Sequence, residues 1–401
     1  MNASFTLMVK PVGSLCNMAC QYCYYLGNEV SNRKPMDLKT LETLIRNYFA
    51  SNPGPIYSFI WHGGEPMLRG LDFYKKAVEL EKKYLPQGKE CWNNLQTNGL
   101  LIDEEWCRFL KKEAFDVGIS IDGSKMIHDT YRKDNSGNPT YDRIVEKIRL
   151  LQKHGIQPDL LCTVNQQTCR NAYAVYQNLK NLNTGWIQFI PVVNKDEKGN
   201  LKEESLDPDL YGSFLKTIFH QWFYNDFGKL GVQLFMEMLQ VYLGGKATLC
   251  YLQEECGNVL AVESDGSIYS CDHYVNKDAY LGFADHLEAA AGSRKQKEFG
   301  QRKKDLPEKC QGCSYLSLCN GGCPKDRDTD GFNILCEAMQ IAFREAEEPL
   351  KKTAQLLKEK KTAEQIRKQL REERKTAWKD VSGNALCPCG SLRKYKHCCR
   401  Q

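Results

Sequence analysis

At 401 residues, 42% of them hydrophobic and 26% charged, the chain can bury a large core and hold two or three domains. No apolar run is long enough to cross a bilayer, and the opening MNASFTLMVKPVG has no basic stretch followed by an apolar one. A soluble, cytoplasmic protein with no membrane partner is therefore expected. The net charge of +5 is uneven, because residues 341–401 hold 16 Lys+Arg against 8 Asp+Glu while the other 340 hold 39 against 42; this basic end reads as a solvated charged helix more readily than as a surface for nucleic acid or an acidic partner.

In chain order, apolar runs predict strands at FTLMVKP (5–11), IYSFIWH (56–62), CWNNLQT (91–97), FDVGISI (115–121), DLLCTV (159–164) and WIQFIPVV (186–193). Amphipathic stretches predict helices near 38–50, 71–84, 103–113, 140–154 and 170–182. Six strand–helix units in a row imply an α/β fold with a parallel sheet, a partial (β/α)6 barrel. The odd polar residues fall at the strand ends: a cysteine triplet, His62-Gly-Gly-Glu65, Gln96-Thr97-Asn98, Ser120 with Asp122, then Thr163 and Asn165. In a parallel barrel those carboxyl ends converge on one face, where sites are built.

Between 230 and 340 the alternation fades and eight cysteines appear among glycines and turn residues. Residues 341–380 read as one charged helix with a single breaker, Pro349, and 383–401 as a last cysteine-rich piece. Domain boundaries are placed at 1–228, 229–345, 346–382 and 383–401. The nineteen cysteines are clustered, which favours metal or iron–sulfur ligation over disulfides in a chain without a secretion signal. Cys91, Cys107, Cys162 and Cys169 lie outside the clusters and read as buried apolar residues.

The stretch GSLCNMACQYCYY puts Cys16, Cys20 and Cys23 after the first strand. Three thiolates suit an iron–sulfur cluster and leave one iron open, although a zinc knuckle completed from elsewhere would use the same residues. This C-x3-C-x2-C, with Tyr22 before the last cysteine, resembles the radical S-adenosylmethionine superfamily. The resemblance implies that the open iron chelates S-adenosylmethionine, whose reductive cleavage gives a 5′-deoxyadenosyl radical. It further matches HGGEP (62–66) to the glycine motif at the methionine amino group, with Gly64 closest. Ser120 and Arg132 match positions at the ribose and carboxylate, and Val193 one near the adenine. Tyr22, Gly64, Ser120, Arg132 and Val193 are thus the cofactor-binding candidates.

The second set runs Cys250-x5-Cys256, Gly266-x4-Cys271, Cys310-x2-Cys313-x5-Cys319-x3-Cys323 and Cys336. It resembles the SPASM extension. That resemblance implies two further four-iron clusters, one on Cys250, Cys256, Cys271 and Cys323, the other on Cys310, Cys313, Cys319 and Cys336. Zinc ribbons, or clusters that only brace the fold, are the competing readings. With "WHGGEP", "LQTNGLLID", "GISIDG" and "SCDHY", residues 5–345 resemble the anaerobic sulfatase-maturating enzymes. The implied activity is oxidation of a sulfatase cysteine or serine to Cα-formylglycine, with Asp272 as general base beside Cys271. The implied partners are an unfolded or nascent sulfatase polypeptide and an electron donor such as flavodoxin or ferredoxin; a monomer is expected. His62 and His273 are given no role, and Tyr24 and Tyr25 read equally as channel lining or core.

The tail CPCGSLRKYKHCC (387–399) resembles the SEC-C motif, implying zinc on Cys387, Cys389, Cys398 and Cys399, with His397 an alternative ligand. So short a segment makes no core of its own, so metal must supply its folding energy. Two rival functions share parts of this pattern. One is a different SPASM-type enzyme forming thioether or carbon–carbon bonds in peptides. The other is a non-enzymatic iron–sulfur carrier or redox sensor, against which the three-cysteine set argues.

Overall fold

The computed structural model describes residues 4–25, 34–196 and 198–400, so the outermost residues of the predicted segments 1–228 and 383–401 fall outside it. Among the described residues the strands are β1 (Thr6–Val9), β2 (Ile56–Trp61), β3 (Glu90–Thr97), β4 (Asp116–Ser120), β5 (Asp159–Val164), β6 (Trp186–Pro191), β7 (Gly231–Val232), β8 (Val259–Val262), β9 (Ser267–Tyr269) and β10 (Tyr280–Phe283). The chain divides into two compact units. One holds Met1–Ile121, Asp129–Asp159 and Glu255–Lys303; the other holds Asp122–His128, Leu160–Glu254 and Lys304–Gln401.

In the first unit β1 lies between β2 and β8, parallel to both, with Leu7 opposite Phe59 on one side and Leu260 on the other. β2, β3 and β4 follow in parallel, and β8, β9 and β10 pair antiparallel. The predicted α/β class with a parallel core is what the chain adopts. The hairpin from β8 is what the sequence reading missed, having expected alternation to fade there. Its strands are only three or four residues long, and Gly266 at φ 87° makes the reversal between β8 and β9.

Alternation sets the faces. In β2 Tyr57, Phe59 and Trp61 are buried while Ile56, Ser58 and Ile60 are half-buried. The buried set meets helices Leu38–Ser51 and Leu71–Tyr84, where Tyr48 and Phe59 cross edge-to-face at 5.0 Å and Trp61 and Tyr74 at 5.3 Å. Each such ring contributes about 1.5–3 kcal/mol by burial, and each pair about 0.5–1.5 kcal/mol more. Asp37 and Asp103 start their helices by accepting from the Thr40 and Trp106 amides at 2.7 and 2.9 Å.

In the second unit β5, β6 and β7 pair in parallel, with Ile187 opposite Leu160 and Val232. Helix Pro208–Asp226 is buried on nearly every side. A Cβ on Gly212 would sit 3.2 Å from the Ala338 Cα, so this helix touches helix Cys336–Lys358 backbone to backbone.

The single charged helix expected over 341–380 is two helices, Cys336–Lys358 and Ala363–Ala377. Lys360 takes a left-handed conformation, and Thr362 starts the second helix through a capping box with Gln365. Pro349, the expected breaker, lies inside the first helix without ending it. Nor are the helices merely solvated, because Ala338, Ala342, Phe343, Ala346, Leu350 and Ala354 form a buried stripe at helical spacing. Arg374 is buried over the Tyr224 ring at 3.9 Å. Cys107, Cys162 and Cys169 are buried, as expected of them; Cys91 is half-buried instead, beside Glu81. Among the described residues no helix is long and apolar enough to cross a membrane.

Candidate functional site

In the first unit the cysteine loop leaves β1 and is tied down by backbone bonds. Ala19 and Gln21 amides donate to the Lys133 and Tyr131 carbonyls at 2.9 and 3.0 Å, and the Asn135 side chain adds a bond from its Nδ2 to the Cys16 carbonyl at 2.9 Å. Burial pushes the Cys16 thiol up to about 12, and the nearby charges of Glu65, Cys20 and Cys23 push the same way. Three thiols gathered with an acid beside them form a set that a cluster's positive iron would relieve. The triplet therefore fits an iron–sulfur cluster.

The glycine motif is stitched to this loop. Gly64 and Glu65 amides donate to the Gly13 and Leu15 carbonyls at 2.9 and 2.8 Å, and a Cβ on Gly64 would lie 2.0 Å from the Leu15 oxygen. The glycine is required here by close approach. Glu65 is fully buried, which raises its pKa, and it accepts from the Thr97 hydroxyl and the Asn98 and Met67 amides at 2.8, 2.8 and 3.0 Å. Asn98 in turn donates to Asn17 Oδ1 at 2.7 Å. The ends of β1, β2 and β3 are thereby locked together through side chains whose hydrogen bonds are made internally.

Of the other cofactor candidates, Tyr22 and Arg132 are brought together: the guanidinium donates to the Tyr22 hydroxyl at 3.0 Å and is buried. Ser120 closes β4 half-buried. Val193 belongs to the second unit, buried just beyond β6, where its carbonyl accepts from Lys325 Nζ at 3.2 Å.

Asp272 follows Cys271 at the end of the β8–β9 hairpin. Its Oδ1 lies 2.6 Å from Nζ of Lys10, the residue that extends β1, and its Oδ2 accepts from the Tyr24 hydroxyl. Burial by itself would raise the Asp272 pKa. The Lys10 ammonium, with His62 and His273 nearby, overrides that and holds the carboxyl well below its usual range. Lys10 is wholly buried, 3.6 Å from Glu263 and 3.7 Å from the centre of the Tyr25 ring, while Tyr25 donates to Glu263. Withdrawal of its hydroxyl from water, and the Asp272 charge, keep the Tyr24 phenol protonated far above neutrality.

Lys10 and Glu263 were not singled out from sequence. The signal was present as a lysine in the apolar run FTLMVKP and an acid directly after VLAV. Unpaired, neither would be tolerated at such burial. Tyr24 belongs to the polar cluster rather than to a core, with its ring 5.1 Å from that of His273. Burial lowers the His62 pKa, while the Asp272 charge pulls the other way.

In the second unit Cys310, Cys313, Cys319 and Cys336 line one pocket with Tyr315, Phe332 and Phe343. Four thiols around a cavity with an aromatic wall fit a fully ligated cluster. Of the other predicted set, Cys250 and Cys323 belong to the second unit, where burial and the charges of Asp326 and Cys250 push the Cys323 thiol up to about 11. Cys256 and Cys271 belong to the first. In the tail the Sγ atoms of Cys387, Cys389, Cys398 and Cys399 all lie within 4.8 Å of one another. Tetrahedral zinc with Zn–S near 2.3 Å needs about 3.8 Å between sulfurs. The observed 3.5 Å for Cys389–Cys398 and 3.9 Å for Cys398–Cys399 fit one such ion.

Residues 11–166 match the Radical SAM superfamily, and residues 384–401 match the SEC-C motif. The chain is 36% identical to a serine-type anaerobic sulfatase-maturating enzyme of Bacteroides thetaiotaomicron over 84% of this chain and 88% of that one. It is 33% identical to a cysteine-type anaerobic sulfatase-maturating enzyme of Clostridium perfringens, over 85% and 96%. Among solved structures it is similar to native anSMEcpe with bound AdoMet and Cp18Cys peptide, with a TM-score of 0.82 and 33% identity over 88% of this chain and 99% of that one.

Proposed function

This chain belongs to the anaerobic sulfatase-maturating enzymes of the radical SAM superfamily, and from that premise we propose that it oxidises one cysteine or serine of an unfolded or nascent sulfatase to Cα-formylglycine, with Asp272 taking up the proton. The observation that carries the proposal is the Lys10–Asp272–Tyr24 cluster, built on the wholly buried Lys10, in the same unit as the cysteine triplet and one residue from Cys271.

Cys16, Cys20 and Cys23 would hold the cluster that binds S-adenosylmethionine, with Tyr22, Gly64, Ser120, Arg132 and Val193 around the cofactor. Cys250, Cys256, Cys271 and Cys323 would hold a second four-iron cluster, and Cys310, Cys313, Cys319 and Cys336 a third. When bound, these groups supply one-electron removal of hydrogen from the substrate β-carbon and a sink for the electron left behind. Glu65 and Asn98 fix the loops that present the cofactor residues. Lys10 keeps Asp272 ionised, so that its carboxylate receives the proton leaving the substrate thiol or hydroxyl. Tyr24 donates to Oδ2 while Lys10 faces Oδ1, and the two together fix the orientation of the carboxylate. A cytoplasmic enzyme drawing its electron from flavodoxin or ferredoxin completes the reading.

The test is anaerobic incubation with S-adenosylmethionine and a sulfatase-derived peptide carrying either cysteine or serine at the target position. Formylglycine should appear as a mass change at that residue in at least one peptide. Cross-linked or thioether-bearing products with no aldehyde would point to the other class of peptide-modifying enzyme.

A further inference from the structure

The tail is seated on a helix, and one side chain of that helix reaches its thiols. Ser213, Thr217 and Gln221 share a face of helix Pro208–Asp226 at four-residue spacing. The Thr217 hydroxyl donates to the Cys389 carbonyl at 3.2 Å, and Gly390 lies over Thr217 and the Ser213 carbonyl. The Arg393 guanidinium covers the Tyr173 ring at 4.1 Å, and Trp378 meets Tyr395 edge-to-face at 6.0 Å. Gln221 is 4% exposed, and its Nε2 lies 3.4 Å from Cys398 Sγ, 3.8 Å from Cys399 Sγ and 3.9 Å from Cys389 Sγ. Its Oε1 accepts from Gln177 Nε2 at 3.5 Å, which turns the amide so that the NH2 faces sulfur.

A divalent ion on four thiolates carries two net negative charges, and here all four cysteines are buried. Charge so placed needs hydrogen-bond donors. The tail supplies the Ser391 hydroxyl, 3.2 Å from Cys398 Sγ. Gln221 supplies an amide aimed at three of the four sulfurs, from a residue more than 160 positions earlier in the chain. We propose that Gln221 is a positioning residue of the tail's metal site, so that the site is completed by helix Pro208–Asp226 and metal binding clasps the tail to that helix. This rests on the reading of the four cysteines as a zinc site.

The experiment uses the full-length chain, prepared anaerobically, and measures zinc affinity by competition with a chromophoric chelator alongside the spectrum of the cobalt-substituted site. Gln221→Leu should bind zinc 10- to 100-fold more weakly, the usual effect of losing a partner of a metal ligand. Four thiolates would still bind cobalt tetrahedrally in this variant, but the thiolate-to-cobalt charge-transfer band should move to lower energy once the N–H donor is gone. A side chain that served only to pack would leave that band in place. Gln177→Leu, which frees the amide to turn, should give a smaller change in the same direction, and it stands in if Gln221→Leu does not fold. In the unaltered chain, removing zinc should speed amide exchange along Pro208–Asp226. Zinc affinity within twofold of the unaltered chain and an unmoved band in these variants would overturn the role of Gln221. Failure of the unaltered chain to bind zinc or cobalt at all would overturn the zinc reading together with it.

Discussion

Lys10 Nζ sits 2.6 Å from Asp272 Oδ1 with its side chain wholly buried, so the carboxylate that follows Cys271 is paired to a cation that cannot reach water. The sign of its effect is fixed by the direction of the shift. A carboxyl whose folded pKa is depressed gives stability that is present above the unfolded value and lost only as pH falls through the folded one. Between pH 6 and 9 Asp272 should therefore stay ionised and add no acid limb to the pH–rate profile. Lys10→Met removes the cation and leaves the burial that raises the pKa. Formylglycine formation should then acquire an acid limb and fall at least about tenfold at neutral pH, with a loss of stability of about 3–5 kcal/mol. An unchanged profile in Lys10→Met would show that the pair is not what holds Asp272 ready.

Asp272→Asn keeps the size of the side chain and its bond from Tyr24 but removes the proton acceptor. S-adenosylmethionine should still bind, because the residues assigned to it lie elsewhere, and some 5′-deoxyadenosine should still form. Formylglycine yield should drop about a hundredfold or more. A peptide deuterated at the β-carbon should still pass label to deoxyadenosine if hydrogen removal comes before proton loss. Iron is counted alongside, so that loss of the cluster proposed on Cys271 is told apart from loss of the base. Normal formylglycine yield would end the assignment of Asp272 as base.

How much of this could be read from sequence divides along physical lines. The strands from 5 to 193 were legible because each is a short apolar run bounded by turn residues, and their spans agree with β1–β6 to within about two residues at most ends. Asp272 was legible as a candidate because a cysteine pattern precedes it. Lys10 was not, since charge alone does not reveal that Glu263 and Asp272 will be folded against it from the far side of the chain. The hairpin from β8 carried too few residues for periodicity to register. The helices after 336 read as solvated because their many Lys, Arg and Glu dominate the composition, while a stripe of mostly small residues, Ala338, Ala342 and Ala346 with Phe343 and Leu350, is buried.

Glu81 gives a pH test away from the site. It is buried, and although it accepts from Asn93 Nδ2 at 2.8 Å, burial pushes its carboxyl up to about 7. A folded pKa above the unfolded one means that its favourable contribution is present below about pH 4.5 and lost as pH rises through about 7. At 1.36 kcal/mol per pKa unit the span is about 3 kcal/mol. Glu81→Gln, uncharged at any pH and able to face the Cys91 sulfur, should be more stable than the unaltered chain at pH 8. That advantage should shrink toward pH 5.5. Urea midpoints measured anaerobically at both pH values check this, and parallel curves would count against a raised Glu81.

Gly64 and Gly185 make a paired test of the loop stitching. Neither has a left-handed backbone, so each could take alanine as far as conformation goes, and the two differ only in surroundings. A Cβ at Gly64 would come within 2.0 Å of the Leu15 carbonyl oxygen and 2.9 Å of the Ser14 carbonyl carbon, and neither is the end of a flexible side chain. Alanine can enter only by parting the glycine motif from the cysteine loop, which breaks the bonds from Gly64 to Gly13 and from Glu65 to Leu15. Glu65 would then lose its alignment with Thr97 and Asn98, leaving a buried carboxyl with fewer donors. At Gly185 nothing lies within 4 Å, so alanine there should change stability by less than about 0.5 kcal/mol. Gly64→Ala should therefore lose S-adenosylmethionine binding and about four irons per chain, the content of one cluster, while the irons held by the remaining cysteines stay. Gly185→Ala should keep both. If Gly64→Ala binds S-adenosylmethionine as tightly as Gly185→Ala does, the two loops are not held together by this contact.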